Sequence, residues 1–220
     1  MKVREQELFR IAGVMAAAAL VLTFYVAWTL TPIEGDVAII REAQDVDFFH
    51  RFESWVNPLG NIDKQLVLVV AVIAAIVVGP RLGFGSGTPL ERTQAIWMLI
   101  AAMVLRLVAG PLKAAVQAER PSTAYDLIVA KDFDGYGFPS GHVYSDVLIF
   151  GVLAVIAPVV FGRTFGAALR VLCIAIIVFA GPARMVVGAH WPSDVLGGYL
   201  WGAAALCIAV IAGRRLGTGR

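Results

Sequence analysis

Charged residues are scarce in this 220-residue chain. Asp, Glu, Lys and Arg together make up 15% of it, against about 25% in an average soluble domain. Cysteine is limited to Cys173 and Cys207, both inside apolar runs. Without metal spacing these read as small packing side chains, which excludes a disulfide-stapled secreted scaffold. A basic excess is missing too. The 18 Lys and Arg against 16 Asp and Glu leave a net charge of +2, so no nucleic-acid partner is expected. Internal repeats and low-complexity segments are absent. Apolar residues are abundant, at 59% with a mean hydropathy of +0.79. A monomer so composed cannot cover itself with polar groups in water, which excludes an ordinary soluble enzyme and a disordered chain. An integral membrane protein remains, with three histidines to its name.

A hydrocarbon core of about 30 Å takes roughly 20 apolar residues in helical form. Ile11–Leu30 supplies such a stretch without a charge, too long for a signal-peptide core. Leu66–Val78 is purely apolar but short. Thr93–Lys113 is long enough and carries Arg106 in its interior. Gly141–Phe161, Ala167–Val187 and Ser193–Ala212 complete a set of six. Small residues at Ala16–Ala19, Gly197, Gly198 and Ala203–Ala205 suit close helix contacts in lipid. The expected fold is all-α: a polytopic membrane protein with six transmembrane helices, read as one membrane-embedded domain over residues 1–220.

Six spans place Lys2, Arg4, Arg10, Arg81, Arg92, Arg163, Arg170, Arg214, Arg215 and Arg220 on one side. The positive-inside rule makes that side cytoplasmic, with both termini. The opposite side holds seven acids between Glu34 and Asp63, plus Asp126, Asp132 and Asp134. The Thr31–Lys64 connection is long and contains Phe48, Phe52 and Trp55 at i, i+4 and i+7, with Phe49 and Val56 beside them. That apolar face, opposed by Asp45, Asp47, Arg51 and Glu53, predicts an amphipathic interfacial helix between the first two spans. It serves either as a lip over lipid access or as a helix packed on the bundle. His50 within it reads as structural. Gly83-Phe84-Gly85-Ser86-Gly87 lacks the Lys-Ser/Thr ending of a phosphate loop and reads as a flexible turn.

Three polar clusters meet on the outer side by parity of crossings. Lys113 and Arg120-Pro121 follow span three; Pro139-Ser140-Gly141-His142 opens span four; Arg184, His190 and Asp194 mark the turn between spans five and six. Three cations on one rim suit a phosphate dianion, with Arg120 and Arg184 able to fork onto its oxygens and Lys113 acting as a point charge. Ser140 and Gly141 at a helix N-terminus favour an anion through free N–H groups. Asp194, four residues after His190, can fix the imidazole tautomer and leave the other nitrogen nucleophilic. His142 then faces the leaving oxygen as general acid. No step requires a metal, and no cofactor is expected. Any one cluster alone could be snorkelling or structural; the set of three points to a site.

These motifs resemble the three-part signature of the type 2 phosphatidic acid phosphatase superfamily, K-x6-RP, PSGH and SR-x5-H-x3-D. Lys113–Pro121 and Pro139–His142 match in full. The third part matches at Arg184, His190 and Asp194, with Ala183 where the family has Ser. The resemblance covers about Thr93 to Ala212 and implies a six-helix fold of the membrane branch. It implies a phosphohistidine intermediate on His190, His142 as acid, and a lipid phosphate or diphosphate as substrate. A polyprenyl diphosphate such as undecaprenyl diphosphate is the first expectation, with phosphatidylglycerophosphate or phosphatidate as the alternative. The non-enzyme alternative is an anion-binding membrane transporter or receptor. Beyond the signature, Asp146 lies one helical turn past His142 and Arg106 two turns before Lys113. Intramembrane charges pair or serve a site. The two are expected to face each other beneath the site, with Asp146 helping to keep His142 protonated.

Overall fold

The computed structural model describes residues 4–29, 32–83, 87–131 and 133–218. Lys2 and Arg220 from the charge pattern, Asp132, and the Phe84–Ser86 part of the glycine turn lie outside the described residues, as do Leu30 and Thr31. The chain folds as α1 (Glu5–Thr29), α2 (Asp36–Gln44), α3 (Asp47–Val56), α4 (Ile62–Val78), α5 (Pro89–Leu105), α6 (Ala109–Val116), α7 (Gly141–Phe161), α8 (Arg163–Val186) and α9 (Pro192–Gly217). No strand occurs among the described residues. Six helical stretches are long and apolar enough to cross a membrane: Glu5–Thr29, Ile62–Leu82, Pro89–Val116, Gly141–Phe161, Arg163–Val186 and Pro192–Gly217. The protein is an all-α, multi-pass membrane protein.

Local chemistry sets the helix ends. Before α5, the Thr88 hydroxyl accepts from the Glu91 N–H at 3.2 Å while Glu91 accepts from the Thr88 N–H at 2.9 Å. This capping box, with Pro89 in the first turn, starts the helix where two otherwise orphaned donors are satisfied. The second span runs further than its apolar core because Asp63, Lys64 and Gln65 form its first turns. The third is not one continuous α-helix. A 3-10 turn at Arg106–Val108 separates α5 from α6.

The bundle is organised on α7, of whose apolar window 78% is buried, against 17% for α1. Helices α5, α8 and α9 pack on α7, and α1 packs on α9. Lipid tails are as apolar as Leu, so packing, not exclusion from water, holds these helices together. Gly202 on α9 shows how close they come: a Cβ there would stand 2.8 Å from the Val147 Cβ of α7.

The long connection holds two helices where one was expected. Phe48 and Phe52 of α3 pack on Phe179 of α8, with ring centroids 5.5 and 4.8 Å away. Trp55 does not join them and is 77% exposed. Helix α2 is pinned down. The Gln44 amide donates to the carbonyls of Ile128 (2.7 Å) and Val186 (3.2 Å), and its oxygen accepts from the Ile128 N–H at 3.0 Å. Buried Asp36 accepts from the Ser193 N–H at 2.9 Å and the Ser193 hydroxyl at 2.7 Å, capping the start of α9. The connection therefore packs on the bundle and braces the end where α6 stops, α7 starts and α8 turns into α9.

Candidate active site

At that end a cavity of about 550 Å³ is lined by Lys113, Arg120, Gly141, His142, Arg184 and His190, together with Asn57 and Phe133. The three clusters separated in sequence thus share one space. A larger cavity of about 1220 Å³ lies at the opposite end, beside Arg4, Arg170 and Arg214. It contains none of the motif residues and no histidine, so the smaller one is the candidate site.

His190 is buried, and its Nδ1 lies 3.2 Å from Asp194 Oδ2, which also accepts from the Trp191 N–H at 3.0 Å. The Arg120 Nη1 lies 3.2 Å from His190 Nε2. A guanidinium only donates, so Nε2 presents a lone pair and Nδ1 carries the hydrogen given to Asp194. This is the neutral tautomer with its free nitrogen toward the cavity. Burial, then the positive charges of Lys113, Arg120 and Arg184, hold the His190 pKa well below its ordinary value. A ring so placed stays unprotonated under mildly acidic conditions, which keeps the lone pair available.

The cations differ in how many donors they have left. Lys113 gives two hydrogens to the carbonyls of Tyr136 (2.8 Å) and Gly137 (3.0 Å). Arg120 holds the carbonyls of Gly135, Asp134 and Ala189 besides the His190 nitrogen. Arg184 gives one N–H to Asn57 Oδ1 at 2.8 Å, and its buried Nε has no partner among the described residues. Of the three, Arg184 keeps the most donors for an anion. The Phe133 ring lies beneath both guanidiniums, 5.8 Å from Arg120 and 5.4 Å from Arg184.

One expectation at the α7 start needs correction. Ser140 is fully buried, its hydroxyl has no partner among the described residues, and its backbone N–H donates to the Asp194 carbonyl at 2.9 Å. Ser140 therefore ties α7 to α9 with the very N–H expected to face an anion. The N–H groups of Gly141 and the next two residues lack intrahelical acceptors and remain for that purpose.

The expected Arg106–Asp146 pair is also replaced. Gln65 stands between them. It donates to Asp146 Oδ1 at 2.9 Å and accepts from Arg106 Nε at 2.8 Å. Arg106 further donates to the Gly60 carbonyl at 3.1 Å. Among the described residues, the His142 ring takes Asn61 as its partner rather than Asp146, with Nε2 at 3.1 Å from Asn61 Oδ1. Asn57, Asn61 and Gln65 belong to none of the motifs; their only mark in the sequence is three carboxamides at i, i+4 and i+8 ahead of an apolar run, and the helix breaks between them, with a 3-10 turn at Asn57–Gly60 and Asn61 extended before α4.

A family model, the PAP2 superfamily, matches residues 94–217. The chain belongs to the PAP2 superfamily. Its matched region contains all three motifs, whereas Asn57, Asn61 and Gln65 precede it. Two curated relatives are named lipid A 1-phosphatase. The one from Rhizobium johnstonii is 32% identical over 50% of this chain and 44% of its own length. The one from Rhizobium etli is 33% identical over 44% of this chain and 40% of its own. The matched stretch thus spans under half the length of these relatives. A crystal structure described as the first transmembrane PAP2 type phosphatidylglycerolphosphate phosphatase, from Bacillus subtilis, shares the fold. Its TM-score is 0.72 over 90% of this chain and 93% of that one, at 20% identity. Within the PAP2 signature, Ala183 is buried in an apolar cluster with Val56, Val143 and Val195. That environment suits a methyl group better than the hydroxyl of the family Ser.

Proposed function

We propose that this PAP2 protein hydrolyses a lipid phosphate or diphosphate as a single membrane-embedded domain. The observation that carries the reading is His190, whose Nε2 lone pair is set by Asp194 and faces Arg120, Arg184 and Lys113. A phosphoryl group entering between Nε2 and the Arg120 guanidinium takes over that N–H and meets the unused donors of Arg184. His190 Nε2 attacks phosphorus as the bond to the leaving oxygen breaks. The electron pair goes to that oxygen, which takes a proton from His142 in its imidazolium form and leaves the ring neutral. Water then attacks the phosphohistidine, giving its proton to His142, and the N–P electron pair returns to Nε2 as phosphate departs. The three cations and the α7 N-terminus offset the charge that grows on the phosphoryl oxygens. A transporter or receptor needs the cations but has no use for a nucleophile opposite an acid.

A polyprenyl diphosphate is the first substrate to test. The relatives' names add the 1-phosphate of lipid A, and the structural neighbour's adds phosphatidylglycerophosphate. The clustering of basic residues at the other end supports a cytoplasmic location for the termini and an outward-facing site. The test is phosphate release by purified protein across these three lipids and phosphatidate. One or more should turn over, with inhibition by vanadate, a mimic of five-coordinate phosphorus, and no loss to a chelator. No release from any lipid would leave the transporter standing; chelator-sensitive release would contradict the metal-independent mechanism.

A further inference from the structure

The segment Asn57–Asn61 lies outside the PAP2-matched region, yet its side chains reach two of the motif residues. Asn57 Oδ1 accepts from Arg184 at 2.8 Å, and Asn61 Oδ1 lies 3.1 Å from His142 Nε2. Gly60, between them, is packed so tightly on the His142 imidazole that any Cβ there would overlap the ring. The polar network within the membrane fixes this segment. Arg106 holds the Gly60 carbonyl, Gln65 holds Arg106, and fully buried Gln65 is tied to Asp146 and to Ser145. Ser145 in turn donates to the His142 carbonyl at 3.0 Å. Every member acts on one face of α7, the face that presents His142.

We infer that Asn61 is a positioning residue for proton donation by His142, clamped in place by the Gly60–Arg106–Gln65–Asp146 network. A carboxamide oxygen only accepts, so its contact requires hydrogen on Nε2. Asn61 thereby holds that edge of the ring, for a leaving oxygen to take the hydrogen over, at the boundary between the phosphate cavity and a neighbouring space of about 410 Å³. The two share Asn61, Lys113, Gly141 and His142. A leaving oxygen attached to a substrate's lipid portion must lie next to that N–H. This inference rests on the phosphatase reading and adds to it a residue that governs the fate of one proton.

The discriminating readout is leaving-group dependence. An alkyl lipid phosphate expels a strongly basic oxygen and needs the proton, whereas p-nitrophenyl phosphate expels an already stable anion and does not. Asn61→Ala should lower kcat on the lipid phosphate by about 30- to 100-fold, the scale set by misplacing a catalytic group. Its rate on p-nitrophenyl phosphate should stay within about three-fold of the wild type, and Asn61→Asp, which keeps the acceptor, should restore much of the lipid activity. Equal losses on both substrates, or no loss on either, would overturn the inference. If Asn61→Ala does not fold, Asn61→Ser carries the same comparison. A wild-type protein inactive on both substrates would instead overturn the phosphatase reading itself.

Discussion

His190→Gln is expected to abolish phosphate release, with a loss of about 10⁴-fold or more. Removing a nucleophile that acts as a unit with its partners costs on that order, because only binding and electrostatic stabilisation remain. Gln is a close match in reach and can still hydrogen-bond Asp194, so the buried position need not collapse. The loss should fall in kcat, since Arg184, Arg120 and Lys113 remain to bind the phosphate. Inorganic phosphate released from lipid in mixed micelles measures it, alongside a thermal unfolding curve showing that the variant is folded. Near-normal turnover would remove His190 from the chemistry.

The second large effect is expected from Asp194→Asn, at about 10³- to 10⁴-fold in kcat. The equivalent carboxylate-to-amide change in Ser-His-Asp triads costs about 10⁴ because it stabilises the wrong tautomer. Here both hydrogen bonds go to one oxygen, and the loss comes instead from the carboxylate's charge, which offsets the positive ring formed when Nε2 bonds phosphorus. Asp194 Oδ2 accepts from the Trp191 N–H and from His190 Nδ1. An Asn can keep its oxygen on both N–H groups, but it brings no charge to stabilise the phosphorylated ring. Substrate affinity should change little, because no cation has been altered. A fall in kcat of under about ten-fold would show that the charge of Asp194 does not support the transfer.

Much of this arrangement was legible in the sequence, and the failures have identifiable causes. Gly141–Phe161 was delimited to the residue because a polar cluster bounds it on one side and Gly162 on the other. Leu66–Val78 was cut short because hydropathy stops at Gln65, whereas the fold buries that carboxamide by giving it Arg106, Ser145 and Asp146 as partners. The convergence of Lys113, Arg120, His142, Arg184 and His190 followed from counting crossings alone. Spacing along two helices could suggest that Arg106 and Asp146 approach one another. It could not reveal that α4 inserts Gln65 between them, since that depends on a third element. The N–H of Ser140 was likewise assigned to an anion because its acceptor, the Asp194 carbonyl, comes from a distant turn.

The central claim is that phosphate passes through a bond to His190, and it can be observed directly. Purified protein is mixed with a lipid substrate carrying a radiolabelled phosphate, quenched in alkali within milliseconds, and digested. The expected result is label on the peptide containing His190, stable to base, lost in acid, and missing from His190→Gln. Phosphate release by the wild-type protein with no such label, or with label on another residue, would contradict it.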